Sequence, residues 1–148
     1  MQKNQKAAKI KVIEILRTKG VRGRVIKTRF DLEPHEERTI ETLSNFGYDV
    51  ETIVPSNTPK SQNPDILMMG TIWEMKGPTT TNRNTIEKRF KKAIRQANGR
   101  SVFDLREVPK GEDVEIVKNE IMALFERKRG MRRIIIIEND EKILDISK

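Results

Sequence analysis

The sequence predicts an α/β domain built on a central mixed β-sheet flanked by helices. Three observations carry that expectation. Apolar residues recur at helical spacing in some segments and alternate or cluster in short runs in others. The two kinds of segment follow one another in an order that needs both parallel and antiparallel strand pairing. The 148 residues, with hydrophobic and charged fractions of 35% each, suit one ordinary core under a heavily charged surface.

The elements can be justified in order. Gln5 to Lys19 carries Ala7, Ala8, Ile10, Ile13 and Leu16 among lysines, the pattern of a basic amphipathic helix closed by Gly20. Val21 to Phe30 is a basic connector without a clear period. Pro34 opens a helix to about Phe46, with Ile40, Leu43 and Phe46 as its stripe and Gly47 as its stop. Extended backward, the stripe turns Glu36 toward the buried side and Glu37 away from it. Tyr48 to Val54 alternates like a strand, Pro55 to Asn63 is a polar loop, and Ile66 to Met69 and Thr71 to Met75 are short strands around Gly70.

A Thr-rich loop, Thr79 to Arg83, leads into a helix that Asn84 and Glu87 start as a capping-box-like pair. Ile86, Phe90, Ala93 and Ala97 give its core stripe, and Asn98-Gly99 ends it. Ser101 to Arg106 reads as a strand, and Asp113 to Arg127 as a helix with Val117, Ile121, Leu124 and Phe125 inward. Arg133 to Ile137 and Lys142 to Ile146 are strands around an Asn139-Asp140 turn. The expected order is α-α-β-β-β-α-β-α-β-β.

Composition narrows the chemistry. Thirty Lys and Arg against 22 Asp and Glu leave a net charge of +8 and a pI near 9.8, a field that draws polyanions such as nucleic acid or an anionic membrane surface. There is no cysteine, which removes disulfides, thiolate zinc sites and cysteine nucleophiles; the single histidine, His35, cannot build a zinc cluster. No apolar run is long enough for a membrane helix, and no signal-peptide segment opens the chain. A metal in such a protein would be hard and oxygen-ligated, with Mg²⁺ the best fit and Mn²⁺ a substitute.

The informative stretch is Pro64-Asp65-Ile66-Leu67-Met68-Met69-Gly70-Thr71-Ile72-Trp73-Glu74-Met75-Lys76. With Met69-Gly70 as a two-residue turn, Met68 pairs with Thr71, and counting outward sets Asp65 opposite Glu74. Lys76, two positions beyond Glu74, shares its face. Two carboxylates this close repel, and a divalent cation with a neighbouring lysine relieves the repulsion. Phosphodiester hydrolysis uses such a group: the cation polarises a phosphoryl oxygen and lowers the pKa of a water, and the lysine orients that water or offsets developing charge. The same spacing also suits an ordinary solvated strand face.

Pro64-Asp65, eight residues, then Glu74-Met75-Lys76 resembles the PD-(D/E)XK motif of the restriction-endonuclease-like nuclease superfamily, whose αβββαβ core is similar to the order read from Pro34 to Arg106. The resemblance is closer to the C-terminal tRNA nuclease domains of CdiA contact-dependent growth inhibition toxins. It covers Glu36 to about Ile146 and includes Asn45-Phe46-Gly47-Tyr48-Asp49-Val50, Ile72-Trp73-Glu74-Met75-Lys76-Gly77-Pro78 and Ala93-Ile94-Arg95-Gln96-Ala97. It implies Asp65 and Glu74 as metal ligands, Glu36 as a further ligand from the first helix, Lys76 as the catalytic lysine, and Gln96 as a residue reaching the site. It also implies RNase activity on tRNA, an immunity-protein partner, and action in the cytoplasm of a cell into which a larger toxin delivers the domain. A nuclease domain at 31–148 would then follow a basic helix and connector at 1–30, as an excised toxin domain or a stand-alone protein of a phage or mobile element.

Lys88, Arg89, Lys92 and Arg95 on the helix after the hairpin form a candidate phosphate track, with Lys91 and Arg83 adding charge; Arg22, Arg24, Lys27 and Arg29 offer a second. Aromatic residues are too few for a platform that stacks single-stranded bases, which favours a structured RNA read by shape and phosphates. Three other readings remain: a DNA endonuclease with the same chemistry, a non-catalytic nucleic-acid-binding module, and an interaction domain for an acidic partner.

Overall fold

The computed structural model describes residues 9–54, 65–76, 83–108 and 113–148. The start of the expected N-terminal helix, the loop at Pro55 to Asn63, Pro64, Gly77-Pro78 and the Thr-rich loop up to Asn82 lie outside the described residues. The elements are β1 (Lys11–Leu16), β2 (Val25–Ile26), α1 (Pro34–Asn45), β3 (Val50–Thr52), β4 (Ile66–Met68), β5 (Thr71–Lys76), α2 (Arg83–Ala97), β6 (Arg100–Asp104), α3 (Val114–Arg127), β7 (Arg133–Ile137) and β8 (Lys142–Ser147). From α1 to β6 the order is α-β-β-β-α-β, as expected from the sequence.

The strands form one eight-stranded sheet, β1-β8-β7-β6-β5-β4-β3-β2. β5, β6 and β7 run parallel, as the intervening helices require. β3-β4-β5 and β7-β8 are antiparallel. The central strand β7, four isoleucines after Arg133, is covered on both faces: Ile134 and Ile136 pack with α2 and α3, and Ile135 and Ile137 pack with α1. Each face has its own core. Ile86, Phe90 and Ala93 of α2 and Val117, Ile121 and Phe125 of α3 meet Phe103, with the Phe90 and Phe103 rings tilted 5.3 Å apart. Ile40 and Leu43 of α1 meet Val50, Ile66, Met68, Trp73, Met75 and Val102.

The expected N-terminal helix is overturned: Lys11–Leu16 is an edge strand, antiparallel to β8, with Lys11 opposite Ser147 and Leu16 opposite Lys142. Val12, Ile13 and Ile15 are β-branched and favour a pleated surface over a helix. The sheet offers them backbone partners, and Glu14 reaches Lys142 at 3.8 Å. The connector expected to be irregular contains β2, which pairs in parallel with β3.

Two smaller boundaries move for local reasons. α2 begins at Arg83, so Asn84 lies inside the first turn rather than capping it. β6 stops at Asp104 because its carboxylate accepts the Arg106 N–H at 3.0 Å and turns the chain into a short 3-10 helix.

Asp104, 1% exposed, also fixes α1 to the sheet. It accepts from Thr39 Oγ1 at 2.9 Å and from the Arg106 guanidinium at 2.9 and 2.7 Å. Removing it takes two of the three bonds from the half-buried Arg106 guanidinium, leaving Asp140, and leaves Thr39 Oγ1 only the His35 carbonyl. Asp104→Ala is therefore expected to cost about 3 kcal/mol, read as a fall of about 10 °C in the thermal midpoint. A fall under about 2 °C would contradict this role.

Candidate active site

Met69 and Gly70 both take positive φ, 54° and 74°, the conformation of a two-residue hairpin turn whose twist matches the flanking strands. The turn sets the register: Met68 faces Thr71, Leu67 faces Ile72 and Ile66 faces Trp73. Asp65 lies just beyond this ladder, and its carboxyl reaches that of Glu74. Asp65 is pinned between its neighbours. Its N–H donates to the Trp73 carbonyl at 3.1 Å, its carbonyl accepts from Ile53 at 3.3 Å, and its Oδ2 accepts from the Met75 N–H at 2.8 Å.

The pleat divides the hairpin's side chains. Ile66, Met68, Trp73 and Met75 enter the core under α1. Leu67, Ile72, Glu74 and Lys76 alternate to the opposite face, beside α2. Leu67 and Ile72 stay half-exposed, as do Asp65 and Lys76.

Glu74 is 1% exposed, and its buried Oε1 has no hydrogen-bond partner among the described residues. Burial, reinforced by the charge and hydrogen bond of Asp65, pushes the Glu74 carboxyl up to about 8; Lys76 and Lys92 oppose the rise. Burial also pushes the Lys76 ammonium down, against the pull of Glu74, and Lys92 lowers it further. The structure thus brings together Asp65, Glu74, Lys76 and, from α2, Lys92. Two carboxyl groups in contact share a proton here, and a hard divalent cation could replace that proton and use their oxygens, the orphaned Oε1 of Glu74 included, as ligands.

The other predicted residues divide. Arg89, Lys92 and Gln96 are half-buried along one flank of α2, whereas Lys88 and Arg95 are on its exposed side. Arg89 Nε is buried without a partner, and burial lowers the pKa of its guanidinium. Glu36 is half-buried as expected from its stripe, but its Oε1 accepts from the Glu33 N–H at 2.9 Å in a capping box. Among the described residues no three Asp, Glu or His side chains converge, so Glu36 does not join Asp65 and Glu74 here.

Arg29 is expected from the sequence only as a member of a second phosphate track with Arg22, Arg24 and Lys27. Its guanidinium, held by Asp31 at 2.8 Å, also lies within the fields of Glu36 and Asp65, which help raise its pKa after the Asp31 hydrogen bond. No periodicity in Val21 to Phe30 signals that position. For Lys92 a signal exists: it lies three residues after Arg89 and four before Gln96, on one helical stripe.

Comparison with known proteins places these features in a family. The family described as "Contact-dependent growth inhibition CdiA C-terminal domain" matches residues 62–143, more than half of the chain. Among solved structures, a chain of the "CdiA-CT/CdiI toxin and immunity complex from Burkholderia pseudomallei" is similar in fold, with a TM-score of 0.62 at 22% sequence identity over 85% of this chain and 100% of that one. No curated protein matches. The chain belongs to the contact-dependent growth inhibition CdiA C-terminal domain family.

Proposed function

We propose that this domain is a metal-dependent nuclease of toxin type that hydrolyses phosphodiester bonds in RNA, with transfer RNA as its target. The observation that carries the reading is the buried, partnerless Oε1 of Glu74 against the Asp65 carboxyl, with Lys76 and Lys92 beside it. Asp65 and Glu74 would hold Mg²⁺ or Mn²⁺. When bound, the cation supplies Lewis acidity toward a phosphoryl oxygen and lowers the pKa of a water.

The remaining work falls to side chains. Lys76, whose ammonium is destabilised by burial and by Lys92, can orient the attacking water and exchange a proton with it. Lys92 and the unpaired guanidinium edge of Arg89 would counter the charge of the phosphate along the α2 flank. Gln96, further along that flank, would orient substrate or water. Lys88 and Arg95, on the exposed side, would meet flanking phosphates. Glu36 would complete the cation site only if the capping box opened.

The toxin reading draws on the family, and the Burkholderia pseudomallei protein is described with an immunity partner. A cognate immunity protein, delivery from a larger polypeptide and action in a target cell's cytoplasm are inferred for this chain on that basis. Among the described residues no helix is long and apolar enough to cross a membrane.

The test is direct. Purified protein with Mg²⁺ or Mn²⁺ should cut total RNA, with tRNA the first species lost, and chelator should stop it. Cleavage of plasmid DNA alone would replace the substrate with that of a DNA endonuclease. No cleavage of either would leave a binding module and end the enzyme reading.

A further inference from the structure

A second concentration of charge lies at the turn end of the hairpin. There a cleft of about 660 Å³ is lined by Arg100, Arg129, Arg132, Arg133 and Lys148, with Asn98 at its border and no Asp or Glu in its wall. Other partly buried cations are answered by acids: Lys118 by Glu138 and Glu115, Arg106 by Asp104 and Asp140. In the cleft only Arg133 is answered, by a two-pronged bond to Asp145 at 2.9 and 2.6 Å. Lys148 is held by the Lys128 carbonyl at 2.7 Å. Arg100, Arg129 and Arg132 have no ion pair among the described residues. Arg100 pairs with Arg133 in the parallel ladder, so the two share a face. Burial, and then the charges of Arg132 and Arg133, push the Arg100 guanidinium's pKa down.

The wall is built rather than incidental. The Gly99 carbonyl accepts from the Arg132 and Arg133 N–H groups at 2.8 and 3.2 Å, and Lys148 N–H donates to the Arg132 carbonyl at 3.2 Å. A Cβ on Gly99 would overlap the Gly130 carbonyl, and one on Gly130 would press on Ile94 of α2. Two glycines thus let the loops after α2 and α3 approach closely enough to hold arginines of like charge together. Like charges held this close favour binding of an anion. Planar guanidinium forks in a concave wall suit phosphate oxygens better than the scattered carboxylates of a protein surface.

Thr71, which lines the cleft, is three residues before Glu74 on β5, about 10 Å along the strand at ~3.3 Å per residue, and alternates to the opposite face. We infer that the arginine cleft binds the sugar–phosphate backbone of the nucleic acid at a point away from the bond cleaved at Asp65 and Glu74. The inference rests on the nuclease reading for its ligand.

The test uses the full chain in EDTA, so that binding is read without cleavage. The probes are a fluorescein-labelled RNA hairpin and labelled poly-glutamate. Arg100→Gln/Arg132→Gln is expected to weaken hairpin binding about tenfold and to reduce the slope of log K against log salt by about 2. Arg132→Gln alone, in an exposed loop, should reduce the slope by about 1 and guards against misfolding of the double variant. Unchanged hairpin affinity and slope in both variants would overturn the inference. So would a loss confined to poly-glutamate, which would mark an acidic-protein surface instead. Weakened hairpin binding in a protein that cuts neither RNA nor DNA would sink the nuclease reading and leave the cleft a phosphate site.

Discussion

Glu74→Gln is expected to lower phosphodiester cleavage by about three orders of magnitude or more, with the fold intact. The amide keeps the shape of the carboxyl but cannot carry its charge, and the site would lose half of its acidic pair. Lys76→Ala should cost about two orders of magnitude, because it removes a proton-handling group and not the cation's ligands. The measurement is single-turnover cleavage of labelled RNA at saturating Mg²⁺, which separates chemistry from product release. Glu74→Gln activity within tenfold of the parent would mean that the hairpin carboxylates are structural.

The second large effect concerns stability without metal. Glu74 moves from 4.5 to about 8 on folding, chiefly through burial. A raised carboxyl means that the folded state holds a proton the unfolded chain has released. The resulting stability is fully present below about pH 4.5 and is lost as pH rises through about 8. The full shift would correspond to ~5 kcal/mol, an upper bound that side-chain relaxation and the neighbouring lysines reduce to about 2. In chelator, the thermal midpoint should therefore fall by about 5 °C between pH 5 and pH 8 relative to Glu74→Gln, in which that titration is absent. Mg²⁺ at pH 8 should restore the wild type and not the variant, because a ligand that binds only the folded state stabilises it. Parallel pH curves for the two proteins would refute the buried-carboxylate account.

The site was legible in the sequence where short-range geometry governs it. A two-residue turn fixes register, so Asp65, Glu74 and Lys76 could be set near one another by counting; the ladder follows the counted register as far as Ile66 and Trp73, and the Asp65 and Glu74 carboxyls meet beyond it. The stripes of α1, α2 and α3 were legible because each buries one side against a single sheet face. β1 was not. Its alternation is weak because Val12, Ile13 and Leu16 all remain exposed at the sheet edge, and only pairing with β8 distinguishes it from a helix. Arg29 and Lys92 are legible in the sequence only as members of candidate phosphate tracks: tertiary folding brings Glu36 and Asp65 to Arg29, and the stripe that Lys92 shares with Arg89 and Gln96 carries the information that it flanks the site.

The pairing of β1 with β8 bears on how the molecule acquires its shape. Lys11 must find Ser147 and Leu16 must find Lys142, nearly the whole chain apart. Closing so large a loop is entropically expensive, and contacts of this kind form after local ones. The β4–β5 hairpin, by contrast, joins residues only a few positions apart and can assemble early. The carboxylates can thus be brought face to face while the far edge of the sheet is still open. A chain that unfolds in transit would rebuild its chemistry before its last edge strand is in place.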